Sequence, residues 1–174
     1  VYKTLVFNQG SYVIDIETDF SSIKNDVYND ISFGWGGGLL STEDNKEDDF
    51  LYFKSYLYQG EELEELKVSE GETENNLFNG VADWVATRTK YFTAAIIPLS
   101  PQLTRGASLF GSAKPDEVYG ASLLFSPKTE HKFKLYLGPL EYDRIKNLGV
   151  NLESIMDFGW AFIRPISKGV LYSL

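Results

Sequence analysis

Apolar and polar residues alternate with a period of two along most of the chain up to Leu137, and only after Gly138 does the spacing change. Tyr12, Ile14 and Ile16 alternate with Val13, Asp15 and Glu17, and Ile31, Phe33 and Trp35 alternate with Ser32 and Gly34. Such alternation sends successive side chains to opposite faces, the signature of half-buried strands. The opening strand, Tyr2 to Phe7, reaches the next through the turn residues Asn8-Gln9-Gly10, and Lys24 to Asn29 separates the following pair. Further strands are expected at Phe50 to Tyr58, Val81 to Arg88, Lys90 to Ile97, Ser108 to Phe110, Tyr119 to Phe125 and Lys132 to Leu137. The gaps between them are too short for βαβ crossovers, so the pairing is antiparallel. The pattern predicts a mainly β protein: an antiparallel β-sandwich over residues 1–138, then a helical tail over 139–174 with two α-helices.

In the tail, Pro139 suits a first helical turn, Leu140, Ile145 and Leu148 follow at spacings of 5 and 3, and Gly149 suits the C′ position. A short helix over Pro139 to Leu148 is therefore expected, with Asn151 capping a second one. The charges of that second helix, Glu153, Asp157, Arg164 and Lys168, fall within roughly 60° of one another at ~100° per residue. The rest of its circumference is apolar: Ile155, Phe158, Trp160, Phe162, Ile163, Ile166, Val170, Leu171 and Leu174. Interior Pro165 removes an amide donor and crowds the carbonyl of Ala161, which predicts a kink near Phe162 to Pro165. So apolar a helix needs a large apolar partner. The chain stops where this pattern is most hydrophobic and opens on Val1 without an initiator Met, so an excised piece of a longer protein is expected.

Composition narrows the function classes. With 174 residues, 43% hydrophobic and 15% aromatic, the chain has material for one domain with a substantial core. Its formal net charge of -9 disfavours charge-driven binding to nucleic acid or to an anionic membrane, so no nucleic-acid partner is expected and any membrane contact must be local. No window reaches 18 consecutive apolar residues. The absence of cysteine rules out disulfides and thiolate metal sites.

Candidate chemistry is sparse. The single histidine, His131, alternates with Phe133 and Leu135 and reads as a core or sheet-face residue; no Ser-His-Asp or zinc constellation assembles around it. Gly36-Gly37-Gly38 lacks a following Gly-Lys-Ser/Thr and reads as a bulge or strand exit. Two acidic clusters, Glu43 to Asp49 and Glu61 to Glu74, lack the alternating ligands and central glycine of an EF-hand and read as solvated loops. No cofactor, metal or catalytic residue is assigned, and the protein is not expected to be an enzyme.

Four segments together carry a resemblance. Asp83-Trp84-Val85-Ala86, Lys90-Tyr91-Phe92-Thr93-Ala94-Ala95-Ile96-Ile97-Pro98, Tyr136-Leu137-Gly138-Pro139 and Met156-Asp157-Phe158-Gly159-Trp160 resemble, in order and spacing, the periplasmic domain of the YidC/Oxa1/Alb3 family of bacterial membrane protein insertases. Tyr2 to Phe7 and Tyr12 to Ile16 are similar more weakly. The residues that carry the motifs are Trp84, Tyr91, Phe92, Pro98, Gly138, Pro139, Asp157 and Gly159, in structural roles. The resemblance implies a β-supersandwich similar to galactose mutarotase, on the periplasmic side of the bacterial inner membrane, with its N-terminal part absent or reduced. It also implies an amphipathic tail helix at the membrane surface, with Phe158, Trp160, Phe162, Ile163, Ile166 and Leu171 at the interface and Arg164 and Lys168 reaching headgroups. The implied partners are Sec translocon subunits and nascent membrane proteins. The family's hydrophilic groove lies in its transmembrane core, so the implied role is accessory: orienting the tail, docking partners, or holding an extended peptide on a sheet edge.

The alternative is a carbohydrate-binding or mutarotase-like sugar epimerase domain, with Trp35, Trp84 and the tyrosines stacking on sugar rings. It needs an acid and a base across the ring, and one histidine supplies little of that; a core-facing His131 would remove its best residue. Tyr91 is expected in the middle of a core strand, so that Tyr91→Ala would cost a few kcal/mol.

Overall fold

A computed structural model describes residues 1–23, 29–114, 116–127 and 130–156. Along the chain run β1 (Tyr2–Phe7), β2 (Val13–Asp19), β3 (Ile31–Trp35), α1 (Lys46–Phe50), β4 (Lys54–Gln59), β5 (Glu62–Leu66), β6 (Thr73–Asn79), β7 (Trp84–Arg88), β8 (Phe92–Pro98), β9 (Thr104–Ala113), β10 (Glu117–Phe125), β11 (His131–Pro139) and α2 (Tyr142–Lys146). Contact density divides the chain after Leu140. The first unit is an antiparallel sandwich: a seven-stranded sheet ordered β1-β2-β11-β8-β7-β4-β5 and a four-stranded sheet ordered β3-β10-β9-β6. The second unit contains α2 and a 3₁₀ turn over Leu152–Ile155.

Period-two patterning places the core. Ile16, Leu57, Val85, Ile96, Phe133 and Leu135 line the inner face of the larger sheet and meet Leu109, Tyr119, Leu123 and Phe125 of the smaller one. Phe33 stacks on Phe133 with ring centroids 4.7 Å apart, which sets β3 opposite β11. The β1–β2 turn is closed by Ser11 N–H donating to Asn8 O, with Gly10 at φ +74°, the left-handed conformation for which glycine carries no Cβ penalty. Gly36 to Gly38 form a strand exit: β3 stops at Trp35, whose indole N–H donates to Gly38 O at 2.7 Å.

Several expectations need correction. The stretch from Phe50 does not run as one strand; α1 ends at Phe50 and β4 begins at Lys54. Glu61 to Glu74 is not a loop but contains β5 and the start of β6, both edge strands, one on each sheet. An edge strand keeps one side in water, so it tolerates the Glu and Asn residues that weaken a strand signal. β9 is ten residues long, not three, and its Gly106 and Gly111 interrupt the apolar alternation. Pro139 does not open a helix: it ends β11, paired with Phe92, and α2 covers only Tyr142–Lys146. Asn151 has φ 60° with no side-chain cap and precedes a 3₁₀ turn. Gly149 does take the expected positive φ, +72°. The second tail helix does not start at Asn151, since the 3₁₀ turn Leu152–Ile155 runs into an extended Met156; the rest of that expected helix falls on residues outside those described.

Candidate interaction site at the exit from the sandwich

The motif residues converge where β8 begins and β11 ends. Antiparallel register sets Gly138 opposite Thr93 and Pro139 opposite Phe92. Beyond the last pair, Leu140 N–H donates to Tyr91 O at 2.7 Å, extending the ladder by one bond. The Tyr136 hydroxyl donates to Pro139 O at 2.6 Å and fixes the strand's final residues. Tyr12 packs across this end, its ring 6.3 Å from that of Tyr136, and Leu137 N–H donates to Tyr12 O at 2.9 Å. A Cβ on residue 138 would lie 2.7 Å from Tyr12 Cγ, so the glycine is required by the aromatic ring above it.

The β7–β8 turn is held from below. Thr89 N–H donates to Phe92 O at 2.9 Å, and the Thr93 hydroxyl to Thr87 O at 2.9 Å. Asp49, fully buried on α1, accepts from the Ser41 hydroxyl at 2.6 Å, from Thr42 N–H at 3.2 Å and from Lys90 N–H at 3.2 Å. Lys90 Nζ lies 5.1 Å above the Tyr91 ring and 5.9 Å from that of Tyr52. Hydrogen bonding to Tyr91 raises the Lys90 ammonium pKa above its usual range, with the Tyr91 and Glu43 charges adding to it. The outcome is a braced corner at which Tyr91, Phe92, Leu137 and Tyr12 each remain 37–45% exposed.

Two motif residues lie elsewhere. Trp84 is fully buried, opposite Tyr58 on the outer face of the larger sheet, with the two rings 5.3 Å apart and almost parallel. Asp83 precedes it, tied by its N–H to Tyr58 O at 2.8 Å, and burial pushes its carboxyl pKa up. Pro98 ends β8, opposite Phe133. Tyr91 itself is a turn residue, 45% exposed, so its assignment to a core strand is corrected: it lies in the turn Thr89 to Phe92, just before β8 begins. Asp157, Phe158, Gly159, Trp160, Phe162, Ile163, Arg164, Ile166, Lys168 and Leu171 lie outside the described residues. Sequence reasoning missed Asp49, which sits among visibly solvated acids, and Tyr12, whose partner is reached only through the register of β2 and β11.

His131 faces the core, 4.1 Å from the Phe125 ring, with Nε2 2.8 Å from Ser126 O. Only 6% exposed, with its ring turned toward Phe125, it is core-facing, and the epimerase reading loses its best residue. Among the described residues no three His, Asp or Glu side chains gather as a metal site, and no helix is long and apolar enough to cross a membrane.

A family model described as the YidC periplasmic domain matches residues 1–168. The chain belongs to this family. Membrane protein insertases YidC of Prosthecochloris aestuarii and Chlorobium limicola are 37% and 38% identical over 97% and 95% of the chain. That of Chloroherpeton thalassium is 32% identical over 95%. The chain spans about 30% of the length of these curated relatives. Within the YidC periplasmic fold, the exit corner explains the Tyr136-Leu137-Gly138-Pro139 motif: a tyrosine that ties the strand end, a glycine beneath an aromatic ring and a proline that closes the ladder.

Proposed function

We propose that this chain is the periplasmic module of a membrane protein insertase at the bacterial inner membrane, accessory to insertion and not its catalyst. The match of the YidC periplasmic family over residues 1–168 carries this reading. The exit corner supports it, because a braced strand end suits a domain that must hold a membrane-seeking tail in a set direction. In this role the sandwich orients the tail, whose Phe158, Trp160, Phe162, Ile163, Ile166 and Leu171 enter the headgroup boundary while Arg164 and Lys168 reach phosphates. Sec translocon subunits and nascent membrane proteins are the partners, met through the parent protein. Co-sedimentation with vesicles of bacterial lipid composition tests the membrane role, comparing the whole chain with a version ending at Ile155. Binding that disappears with the tail is expected. Equal and negligible binding of both would refute the tail's assignment.

A further inference from the structure

Antiparallel register divides the four-stranded sheet into two faces. Leu109, Tyr119, Ala121 and Leu123 point into the sandwich. Away from it point a row Gly34-Ser122-Ser108-Leu77, crossing all four strands, and beside it a row Gly120-Phe110-Asn75. The flanking rows add only Ser, Thr, Asn, Gly, Val and Leu, so every residue that these registers set on the outward face is uncharged, in a chain whose residues are 24% charged. The outward face of the larger sheet differs: there Asp15 stands opposite Lys134 and Glu17 opposite Lys132. The uncharged face is open, with Leu77 70% exposed and Ser32, Gly34 and Asn75 exposed. Its polar groups partly satisfy one another, the Ser108 hydroxyl donating to Asn75 Oδ1 at 2.6 Å and the Thr73 and Ser112 hydroxyls sharing a bond of 2.8 Å, which lowers the cost of taking the face out of water.

We infer that this face packs on the same face of a second copy of the chain. The inference goes beyond the insertase reading and does not rest on it. Charge selects the occupant. At a two-fold contact each residue lies near its own counterparts, so a charged face repels itself, whereas an unlike partner of a chain with net charge -9 is met best through opposite charge. Shape selects the arrangement. Gly34, Gly120 and Ser122 lie along an open trough of about 340 Å³, while Leu77 and Phe110 carry the large side chains of the two rows. A two-fold axis that runs along the strands, between β10 and β9, maps β3 onto β6 and β10 onto β9. Leu77 of each copy then lies over Gly34 of the other, Phe110 over Gly120 and Ser108 over Ser122, so that each large side chain meets a glycine, in the aligned packing usual for sheet on sheet. Four strands of this length present roughly 400 Å² of sheet per copy, below what a permanent dimer buries, so the association is weak and reversible.

The test is sedimentation velocity of the 174-residue chain from about 10 μM to about 1 mM, the range in which so small an interface associates. The mean mass should rise with concentration toward that of a dimer. Leu77→Glu, at an exposed position, should weaken the association at least about tenfold, and Leu5→Glu and Trp160→Glu, away from this face, should leave it unchanged. Ser108→Lys and Ser122→Asp should each weaken it as well, because each brings a charge against an uncharged surface. An equimolar mixture of those two variants should recover it, since Lys at 108 in one copy then faces Asp at 122 in the other. Thermal melts check that the variants fold; should Leu77→Glu unfold, the mixture decides alone. A chain that stays monomeric throughout overturns the inference, and so does a mixture that associates no better than its components. Association that survives Leu77→Glu and is lost in Trp160→Glu or Leu5→Glu also overturns it, because the contact would then lie in the tail or on β1.

Discussion

Substituting Gly138 by alanine places a methyl carbon 2.7, 2.8 and 2.9 Å from Cγ, Cβ and Cδ1 of Tyr12. These are the root atoms of the side chain, so a rotation of the ring cannot clear them. Backbone conformation raises no obstacle, because Gly138 is not among the positive-φ glycines and alanine is favoured over glycine in a strand by roughly 0.5–1 kcal/mol. The clash decides the sign: overpacking of this kind costs about 1–3 kcal/mol. For a chain of this length that corresponds to a fall in Tm of roughly 2–4 °C per kcal/mol. Tyr12→Gly removes all three close atoms, and in that background Gly138→Ala should be neutral or slightly stabilising. Thermal melts of the two single variants and the double variant close the cycle, with a coupling of about 2 kcal/mol expected. An equal cost of Gly138→Ala in both backgrounds would show that Tyr12 does not impose the glycine.

Trp84→Ala should lose about 3–5 kcal/mol, because the indole is fully buried against Tyr58, and chemical denaturation reads the loss. Tyr91→Ala, by contrast, should cost under about 1 kcal/mol, as surface changes do; a loss like that of Trp84 would place Tyr91 in the core after all. Asp49→Ala strands the donors of Ser41, Thr42 and Lys90 and should cost about 3 kcal/mol, with faster amide exchange at Thr42 and Lys90; unchanged exchange there would contradict the brace. The Tyr119 phenol is pushed up to about 12 by burial, against the usual value near 10. Its proton is therefore retained in the folded state while the unfolded chain gives it up, so this contribution to stability is intact below pH ~10 and is lost as pH rises toward ~12. An ultraviolet titration of the protein minus that of Tyr119→Phe should show one late phenol; a difference curve centred near pH ~10 would refute the assignment.

Three strands were legible because their chemistry is simple. Val13 to Asp19, Ile31 to Trp35 and Tyr119 to Phe125 bury one face each, and period-two alternation survives intact. β5 and β6 were not, since an edge strand half in water carries Glu62, Glu64, Asn75 and Asn76 without penalty and so loses the apolar signal. Pro139 satisfied a helix-start rule and a strand-end rule equally, and only pairing with Phe92 decides between them. His131 was read as a core residue from its neighbours Phe133 and Leu135, and it lies beside Phe125 and Phe133. The roles of Tyr12 and Asp49 depend on contacts made across 126 and 41 positions of sequence, to Gly138 and Lys90, and no local pattern encodes such distances.

The most direct test of the account replaces the matching periplasmic segment of the Prosthecochloris aestuarii insertase with residues 1–174 and measures insertion of a reporter membrane protein into inverted vesicles. As an accessory module, the chain should restore insertion to the parent's level, while deletion of the segment should leave insertion reduced but not abolished. A chimera that folds and reaches the membrane yet inserts no better than the deletion would contradict the claim that this chain is an insertase's periplasmic module.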